Sequence, residues 1–448
     1  MSILHYTIGI PPTRHGGSVQ YAHDLMLEEC RQGHKIMALI CGDTLFRGNK
    51  TRIRKRGHLG NIEVYSLTNP LTPTLIYGTS EPDAQHRSVE LDRKNLEKFI
   101  VDNNVEVMHI HTFVGLHKDI VALIKSFGVK IIYTTHDFHG ICPHYNLIDE
   151  KGILCEQASG ISCMRCNTTE PSDKFLRLAN SSLYHFVKSL KVSSVIKKLK
   201  ISPSIRTQSI NKSAISRNPK SYESLLQYYR DYFKLVDIFH FNSSQTREKF
   251  EHFLGPLHGK VIPVVTAGIN DKRKPLKEHD VLTFGFIGSI NEYKGFPTLK
   301  AVFKELYQEG LQNVRLKVYG SGIVGKDEEC PLIEYCPAYK YSEISNVMYH
   351  LDGTIVPSKW YETFSLVTLE SLAHGRPVIV SDHVGAKDIV ATYNEDFVFS
   401  SKEGLMALLR KIILDHSCLY LENEKIFKRP WEYSMANHTK QILSYYYE

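Results

Sequence analysis

Two glutamates, Glu362 and Glu370, stand with seven residues between them in the stretch "PSKWYETFSLVTLESLAHGRPVIVSD", positions 357–382. Paired carboxylates first suggest a glycosidase, in which one is the general acid and the other the nucleophile or base, about 5 to 10 Å apart. A shared helix would not serve that chemistry: eight steps of ~100° and ~1.5 Å put them about 12 Å apart along the axis and roughly 80° apart around it. They would not face one bond. The stretch parses better as strand, loop, helix and strand. "GTIVPS" is a short apolar run ended by Pro357 and Ser358, "WYETFS" is a loop, "LVTLESLAH" has helical apolar spacing, and "RPVIVSD" is β-rich. Glu362 then lies in the loop and Glu370 inside the helix. Thr363 and Ser365 are placed to cap that helix, whose free N–H groups form a seat for a diphosphate. The carboxylates flank an anion site, which suits ligand binding better than hydrolysis.

Other candidate residues sit at strand ends. Gly16 and Gly17, in "PPTRHGGSVQ", precede a helix predicted to start near Ser18, where glycines let backbone amides approach a ligand closely. A turn needing positive φ explains the pair about as well, and the G-x-G-x-x-G dinucleotide spacing is absent. His136, in "THDFHG", ends the strand "KIIYTT"; a structural, hydrogen-bonded histidine is the competing reading. Its neighbours Asp137, His139 and His144 could ligate metal or fix its tautomer, but no ligand spacing singles them out. "GFIGSINEYKGF" places Gly288 at a strand end and Lys294 before a helix, where the lysine can neutralise a diphosphate as a point charge. "VYGSG" ends another strand with Gly320 and Gly322. Three strand ends of one sheet converging on one crevice are what a nucleotide site requires.

The elements that must position these residues follow a βαβ rhythm. In the first half, strands "SILHYTIGI", "KIMALICG", "VEVMHIHT", "KIIYTTHD" and "DIFHFNSS" alternate with helices. The rhythm restarts after "KVIPVVTAGINDKRKPLKEHD", whose charged end reads as a linker, with "LTFGFIGS", "RLKVYGSG", "GTIVPS" and "PVIVSD". The expectation is α/β: two doubly wound, Rossmann-like domains facing a central cleft. At the C-terminus "PWEYSMANHTKQILSYYYE" is suited to docking on another surface.

The 448 residues carry a formal net charge of +7, unevenly spread. From Lys174 to Lys220 there are eleven Lys or Arg and no Asp or Glu, so the remainder is mildly acidic. This island has near-helical apolar spacing and reads as a basic amphipathic segment, for an anionic membrane surface, an acidic protein face or solvent. Nucleic acid is not expected, because no recognised module accompanies it. The start of the chain reads as a strand and not as a secretory signal, and no run of eighteen apolar residues exists. A cytoplasmic protein, soluble or surface-bound, is the default. The nine cysteines are expected to be reduced. Cys142, Cys155, Cys163 and Cys166 cluster and end in C-x2-C, so a structural zinc site and free thiols in a folded loop are both open.

With these residues in view, the chain resembles a GT-B glycosyltransferase of the large retaining group often called family 4, of the bacterial polysaccharide-assembly type. The segment from Val356 to Asp382 is the most specific part, and "HIHT", "TTHD", "GFIGSINEYKG" and "VYGSG" fall in the family's order. The resemblance implies an acceptor-binding domain over 1–268 with a basic helical insertion at about 171–230. It further implies a nucleotide-sugar domain over 269–428 and a last helix, 429–448, packing back on the first domain. Glu370 would hold the ribose hydroxyls, Glu362 the transferred sugar, and the amides of Phe364, Ser365 and Leu366 the diphosphate, assisted by Lys294. His136 would approach the sugar, with Gly16 and Gly17 near donor and acceptor. No cofactor and no catalytic metal are implied. The partners would be a nucleoside diphosphate sugar and a glycan acceptor, lipid-linked at the inner membrane face, in capsule or envelope synthesis. Two departures stand out: Ser289 where the family usually has Arg, and Ser365 where Gly is common. The first favours an alternative, a non-catalytic sugar-nucleotide or glycan-binding subunit of an assembly complex.

Overall fold

The computed structural model describes residues 1–45, 50–73, 78, 81–167, 173–181, 218–320 and 324–447. They form two compact units: one from 1–240, 250–260 and the chain end from Tyr446, the other from 241–249 and 261–445.

The first unit is built on strands β1 (Ser2–Thr7), β2 (Lys35–Cys41), β3 (Arg52–Leu59), β4 (Ile62–Thr68), β5 (Val107–Ile110), β6 (Lys130–Thr134), β7 (Ile238–Phe241) and β8 (Gly259–Val261). Their order in the sheet is β3-β4-β2-β1-β5-β6-β7-β8. All six residues of β1 and all four of β5 are buried, as strands covered on both faces require. The βαβ reading found β1, β2, β5, β6 and β7 but missed β8 and the antiparallel pair β3–β4, of which β4 also pairs parallel with β2. β3, "RIRKRGHL", is basic and largely exposed at a sheet edge, so it lacks the apolar run that marks the others. Helix α1 (Gly17–Arg31) follows β1, and α2 (Pro219–Phe233) starts where Asn218 caps the Lys220 amide and Pro219 presets the first turn. α2 buries Tyr229, Tyr232 and Phe233 against Phe113, whose ring centroid lies 4.4 Å from that of Tyr232. The basic stretch 174–220 lies almost wholly outside the described residues; at its start Asp173–Ala179 is helical.

The second unit contains β9 (Leu282–Ile287), β10 (Val314–Tyr319), β11 (Gly325–Lys326), β12 (Ile333–Tyr335), β13 (Gly353–Val356), β14 (Val378–Ser381) and β15 (Val398–Phe399), ordered β11-β12-β10-β9-β13-β14-β15. All pairings are parallel except β11 with β12. Helices α3 (Phe296–Gln308), α4 (Leu366–Ala373) and α5 (Met435–Tyr447) complete the parts used below. The charged run that reads as a linker is not free. Arg273 pairs with Asp271 and donates to the carbonyls of Ile426 and Arg429, and the Leu276 amide donates to Asn423 Oδ1. Arg273 thereby ties the run to the segment 426–429 of the same unit.

Strands β10, β9, β13 and β14 are consecutive neighbours, so their C-terminal ends lie side by side. Close backbone approach there demands glycine. Gly295 has φ +72°, and a Cβ on it would lie 1.7 Å from the Pro357 carbonyl oxygen. Gly295→Ala should therefore destabilise the second unit by about 3 kcal/mol or more, read as a lowered midpoint in urea unfolding; a loss below half that would show that the loops yield easily.

Candidate functional site

The loop after β9 and the loop after β13 are zipped together. Gly295 passes under the Pro357 carbonyl, the Lys359 amide donates to the Tyr293 carbonyl at 2.9 Å, and the rings of Tyr293 and Trp360 stack. Lys294 Nζ then reaches Glu362 Oε1 at 2.7 Å while lying 5.6 Å from the Trp360 ring centroid. The other Glu362 oxygen accepts from the Ser358 hydroxyl. Glu362 is also held by its backbone: its amide donates to the His383 carbonyl and its carbonyl accepts from the Gly385 amide. Ser381, at the end of β14, donates to the Ser358 carbonyl at 2.6 Å. Three strand-end loops thus meet at Glu362, two through its carboxylate and the third through its backbone. The sequence reading named Lys294 and Glu362 as ligand groups; that they neutralise each other, and that Ser358, Trp360, Ser381 and Gly385 organise them, was missed. The signal for Ser358 and Trp360 lay in their position directly after a strand, beside the glutamate.

The start of α4 differs from the expected cap. Ser365 occupies the N-cap position, but its side chain takes no first-turn amide; its oxygen accepts from the Thr368 hydroxyl instead. The Thr363 carbonyl accepts from Ser243, so its backbone too is fixed. Ser365 has φ +103°, a region in which a side chain is strained and glycine is not. The departure from the family's common glycine therefore falls on a backbone conformation glycine would adopt freely. The helix start leaves its dipole end without a side-chain cap, which suits an anion.

Glu370 lies one turn into α4 and is buried, 8% exposed. Burial raises its pKa, while a hydrogen bond from the Tyr341 hydroxyl works in the opposite direction. The two acids are held by different groups, Glu362 by Lys294 and Ser358 in the loop and Glu370 by Tyr341 from within the helix. Gly288 and Gly320 sit at the adjacent ends of β9 and β10, where a Cβ on Gly320 would lie 2.8 Å from the Gly288 carbonyl oxygen. Ser289 beside them is exposed. Gly322 lies outside the described residues.

In the first unit, Gly16 and Gly17 are exposed at the start of α1, and a Cβ on Gly16 would meet nothing within 4 Å. Its φ of +144°, and not crowding, is what favours glycine there. His136 follows β6 as expected, and it heads a chain of buried groups that the sequence reading missed. His136 Nε2 is 3.3 Å from His111 Nδ1, His111 Nε2 is 3.0 Å from His5 Nδ1, and His5 Nε2 is 2.6 Å from Glu29 Oε2. The Tyr446 hydroxyl donates to the other Glu29 oxygen and contacts His109. Burial, with the neighbouring His240, holds His136 down to about 3, so it is neutral near pH 7. Burial and the surrounding histidines depress His111 as well. The alternation of His5, His109 and His111 along two adjacent inner strands is the sequence signal for this chain.

Among the described residues, His5, His109 and His111 have ligand atoms within 4.8 Å of one another. Both ring nitrogens of each are already engaged: His5 with His111 and Glu29, His111 with His5 and His136, His109 with Tyr446 and Thr134. They fit a hydrogen-bonded chain better than a cation site. His139 is bonded to Tyr229 and buried, which makes it structural. None of the nine cysteines is in a disulfide.

Residues 269–426 match the family described as glycosyl transferases group 1. A 302-residue alignment covering 65% of this chain is 24% identical to an uncharacterized 42.6 kDa protein in the cps region of Klebsiella pneumoniae. A shorter one, 131 residues and 27% of this chain, is 29% identical to glycogen synthase of Clostridium novyi (strain NT). These alignments span 61% and 26% of the two relatives. The structure superposes on sucrose-phosphate synthase from Thermosynechococcus elongatus with a TM-score of 0.57 at 13% identity, covering 99% of this chain and 98% of that one. For the catalytic domain of starch synthase IV from Arabidopsis thaliana, bound to ADP and acarbose, the figures are 0.57, 13%, 99% and 98%. For WaaG, a glycosyltransferase involved in lipopolysaccharide biosynthesis, they are 0.55, 12%, 99% and 99%. The fold is the GT-B fold: two α/β domains on mainly parallel sheets. Glu362, Lys294, Ser365 and Glu370 all fall inside the segment that matches group 1.

Two outcomes follow from the local geometry. Ser365→Gly should keep the turn and raise stability by about 1 kcal/mol through relief of the positive-φ strain, visible as a higher thermal midpoint; a lower midpoint would contradict the strain. Because the folded state holds the Glu370 proton more tightly than the unfolded chain, this group's contribution is present at low pH. It is lost as pH rises from the ordinary carboxylate value through the raised one. Glu370→Gln should flatten that part of the pH–stability curve of the ligand-free protein, and an unchanged slope would refute the assignment.

Proposed function

We propose, from the premise that residues 269–426 match group 1 glycosyltransferases, that this chain is a retaining glycosyltransferase taking a sugar from a nucleoside diphosphate sugar to a glycan acceptor. The observation that carries the reading is the Lys294–Glu362 pair at the strand ends, beside an uncapped helix start and a buried Glu370 within that segment. The helix start and Lys294 supply positive charge for the diphosphate. Glu370, desolvated beside Tyr341, takes the ribose hydroxyls, and Glu362 takes the transferred sugar. Lys294 exchanges Glu362 for phosphate when the donor enters, and Glu362 is then released to accept from sugar hydroxyls.

Retention needs no protein nucleophile in this reading. The acceptor attacks from the face that the nucleoside diphosphate leaves, and a departing phosphate oxygen takes the acceptor's proton. Charge stabilisation by fixed dipoles and lysine takes the place of a divalent cation. His136, neutral near pH 7, is a hydrogen-bonding group for the sugar and not a cationic one. The acceptor is assigned as a lipid-linked oligosaccharide in capsular or cell-envelope polysaccharide synthesis, a reading favoured by the cps-region relative and by the basic stretch 174–220. That stretch suits an anionic membrane surface on the cytoplasmic side. Among the described residues no helix is long and apolar enough to cross a membrane.

The exposed Ser289, where the resemblance leads one to expect arginine, favours a second reading, a binding subunit without turnover. Donor hydrolysis and transfer assays with a panel of nucleoside diphosphate sugars separate the two. Glu370→Ala should abolish detectable nucleoside diphosphate binding by thermal shift. Glu362→Gln should lower kcat by about a hundredfold while changing nucleotide affinity little. Binding without turnover for every donor tested would favour the subunit, and unaltered affinity in Glu370→Ala would remove the proposed nucleotide site.

A further inference from the structure

Four cysteines that the transfer chemistry does not use converge on one small cavity in the first unit: Cys142, Cys155, Cys163 and Cys166 all line it. Its volume is about 30 Å3, room for a single ion or water.

The backbone after the first of them turns tightly. The chain after Cys142 passes through two left-handed residues, Tyr145 at φ +67° and Leu147 at φ +52°, neither of them glycine. The Tyr145 amide closes that turn on the Cys142 carbonyl at 3.1 Å, and the Cys142 side chain is buried against the cavity. Two non-glycine residues at positive φ are a local strain held by the surrounding fold.

The other three sulfurs are brought in by separate local devices. A tight turn from Asp149 to Gly152 and the antiparallel bridge between Ile148 and Leu154 fold the chain back, and the Cys155 amide donates to the Leu147 carbonyl at 2.7 Å. Cys155 is thereby placed beside the turn that follows Cys142. Cys163 and Cys166 stand three apart on the short helix Gly160–Cys166, so they share a face. That helix is pressed on α2, since a Cβ on Gly160 would lie 2.3 Å from the Pro219 carbonyl oxygen, and Cys163 packs with Tyr222 and Leu226.

We propose that Cys142, Cys155, Cys163 and Cys166 are the four ligands of a structural Zn2+ site that closes residues 142–167 onto α2. Four thiolates in a tetrahedral shell are a closed set for zinc, with no open position for catalysis, whereas magnesium and calcium take oxygen ligands. The ion supplies the positive charge that four partly buried sulfurs lack, and each thiol gives up its proton to solvent on binding. It also ties down the loop that leaves His136, since Phe138 and Cys142 are joined backbone to backbone at 2.9 Å. The proposal does not depend on glycosyl transfer.

The test uses the full chain purified without chelator. Elemental analysis should find one equivalent of zinc, released when a mercurial reagent titrates the thiols. Cys155→Ser and Cys166→Ser, both at part-exposed positions, should each lower retained zinc about tenfold or more, while Cys418→Ser, remote in sequence, should keep it. Should the serine variants fail to fold, cobalt uptake by wild-type protein stripped of metal still decides, through tetrahedral ligand-field bands with thiolate charge transfer. Wild-type protein that holds no zinc and takes up no cobalt overturns the proposal. So does zinc that survives both serine substitutions, and bound iron with visible absorption overturns the identity of the metal.

Discussion

Glu362 is the residue on which strand-end loops of the second domain close. One oxygen meets Lys294 and the other Ser358, while its backbone is bonded on both sides to the segment 383–385. A partly buried charge needs compensation, and removing one member of such a pair leaves the other desolvated and alone. The ligand-free site therefore keeps its acid and its base on each other. Both remain partly exposed, Lys294 at 29% and Glu362 at 15%, so an entering anion can reach the lysine without unfolding anything. In the proposed reaction the same two charges serve phosphate and sugar, and the pair that stabilises the free protein is what the donor takes apart.

Around that pair the backbone is packed more closely than side chains permit. Gly295 against Pro357, Gly320 against Gly288 and Gly385 against Thr363 each leave no room for a Cβ. Ser365 accepts a positive φ without being glycine, and its hydroxyl is turned to Thr368 in place of the helix amides. These are local costs carried by the surrounding sheet, and they end in a helix start that no side chain caps.

The first domain solves a different electrostatic problem. Glu29 is fully buried on α1, and its two oxygens are met by His5 and by Tyr446, a residue from the far end of the chain. From His5 the bonds continue through His111 to His136. A neutral imidazole has one donor and one acceptor, so each ring in the chain constrains the tautomer of the next. His136 is thereby oriented from within the sheet, and its low proton affinity follows from the same burial.

Much of this architecture was legible in the chain as written. Alternating apolar runs and helical spacing located the central strands of both domains, the loop position of Glu362, the helix position of Glu370 and the strand-end glycines, because those depend on neighbours within a few residues. The outer strands escaped: β3 is exposed and basic and has no apolar signature, and β12 and β15 are only three and two residues long. The cap at Ser365 was misjudged because backbone φ, not residue type, sets which way a hydroxyl points. What tertiary structure alone decided is who meets whom: Lys294 with Glu362 across 68 residues, Glu29 with Tyr446 across 417, and four cysteines on the wall of one cavity. Such contacts follow from sheet order and loop closure, and no periodicity in the sequence encodes them.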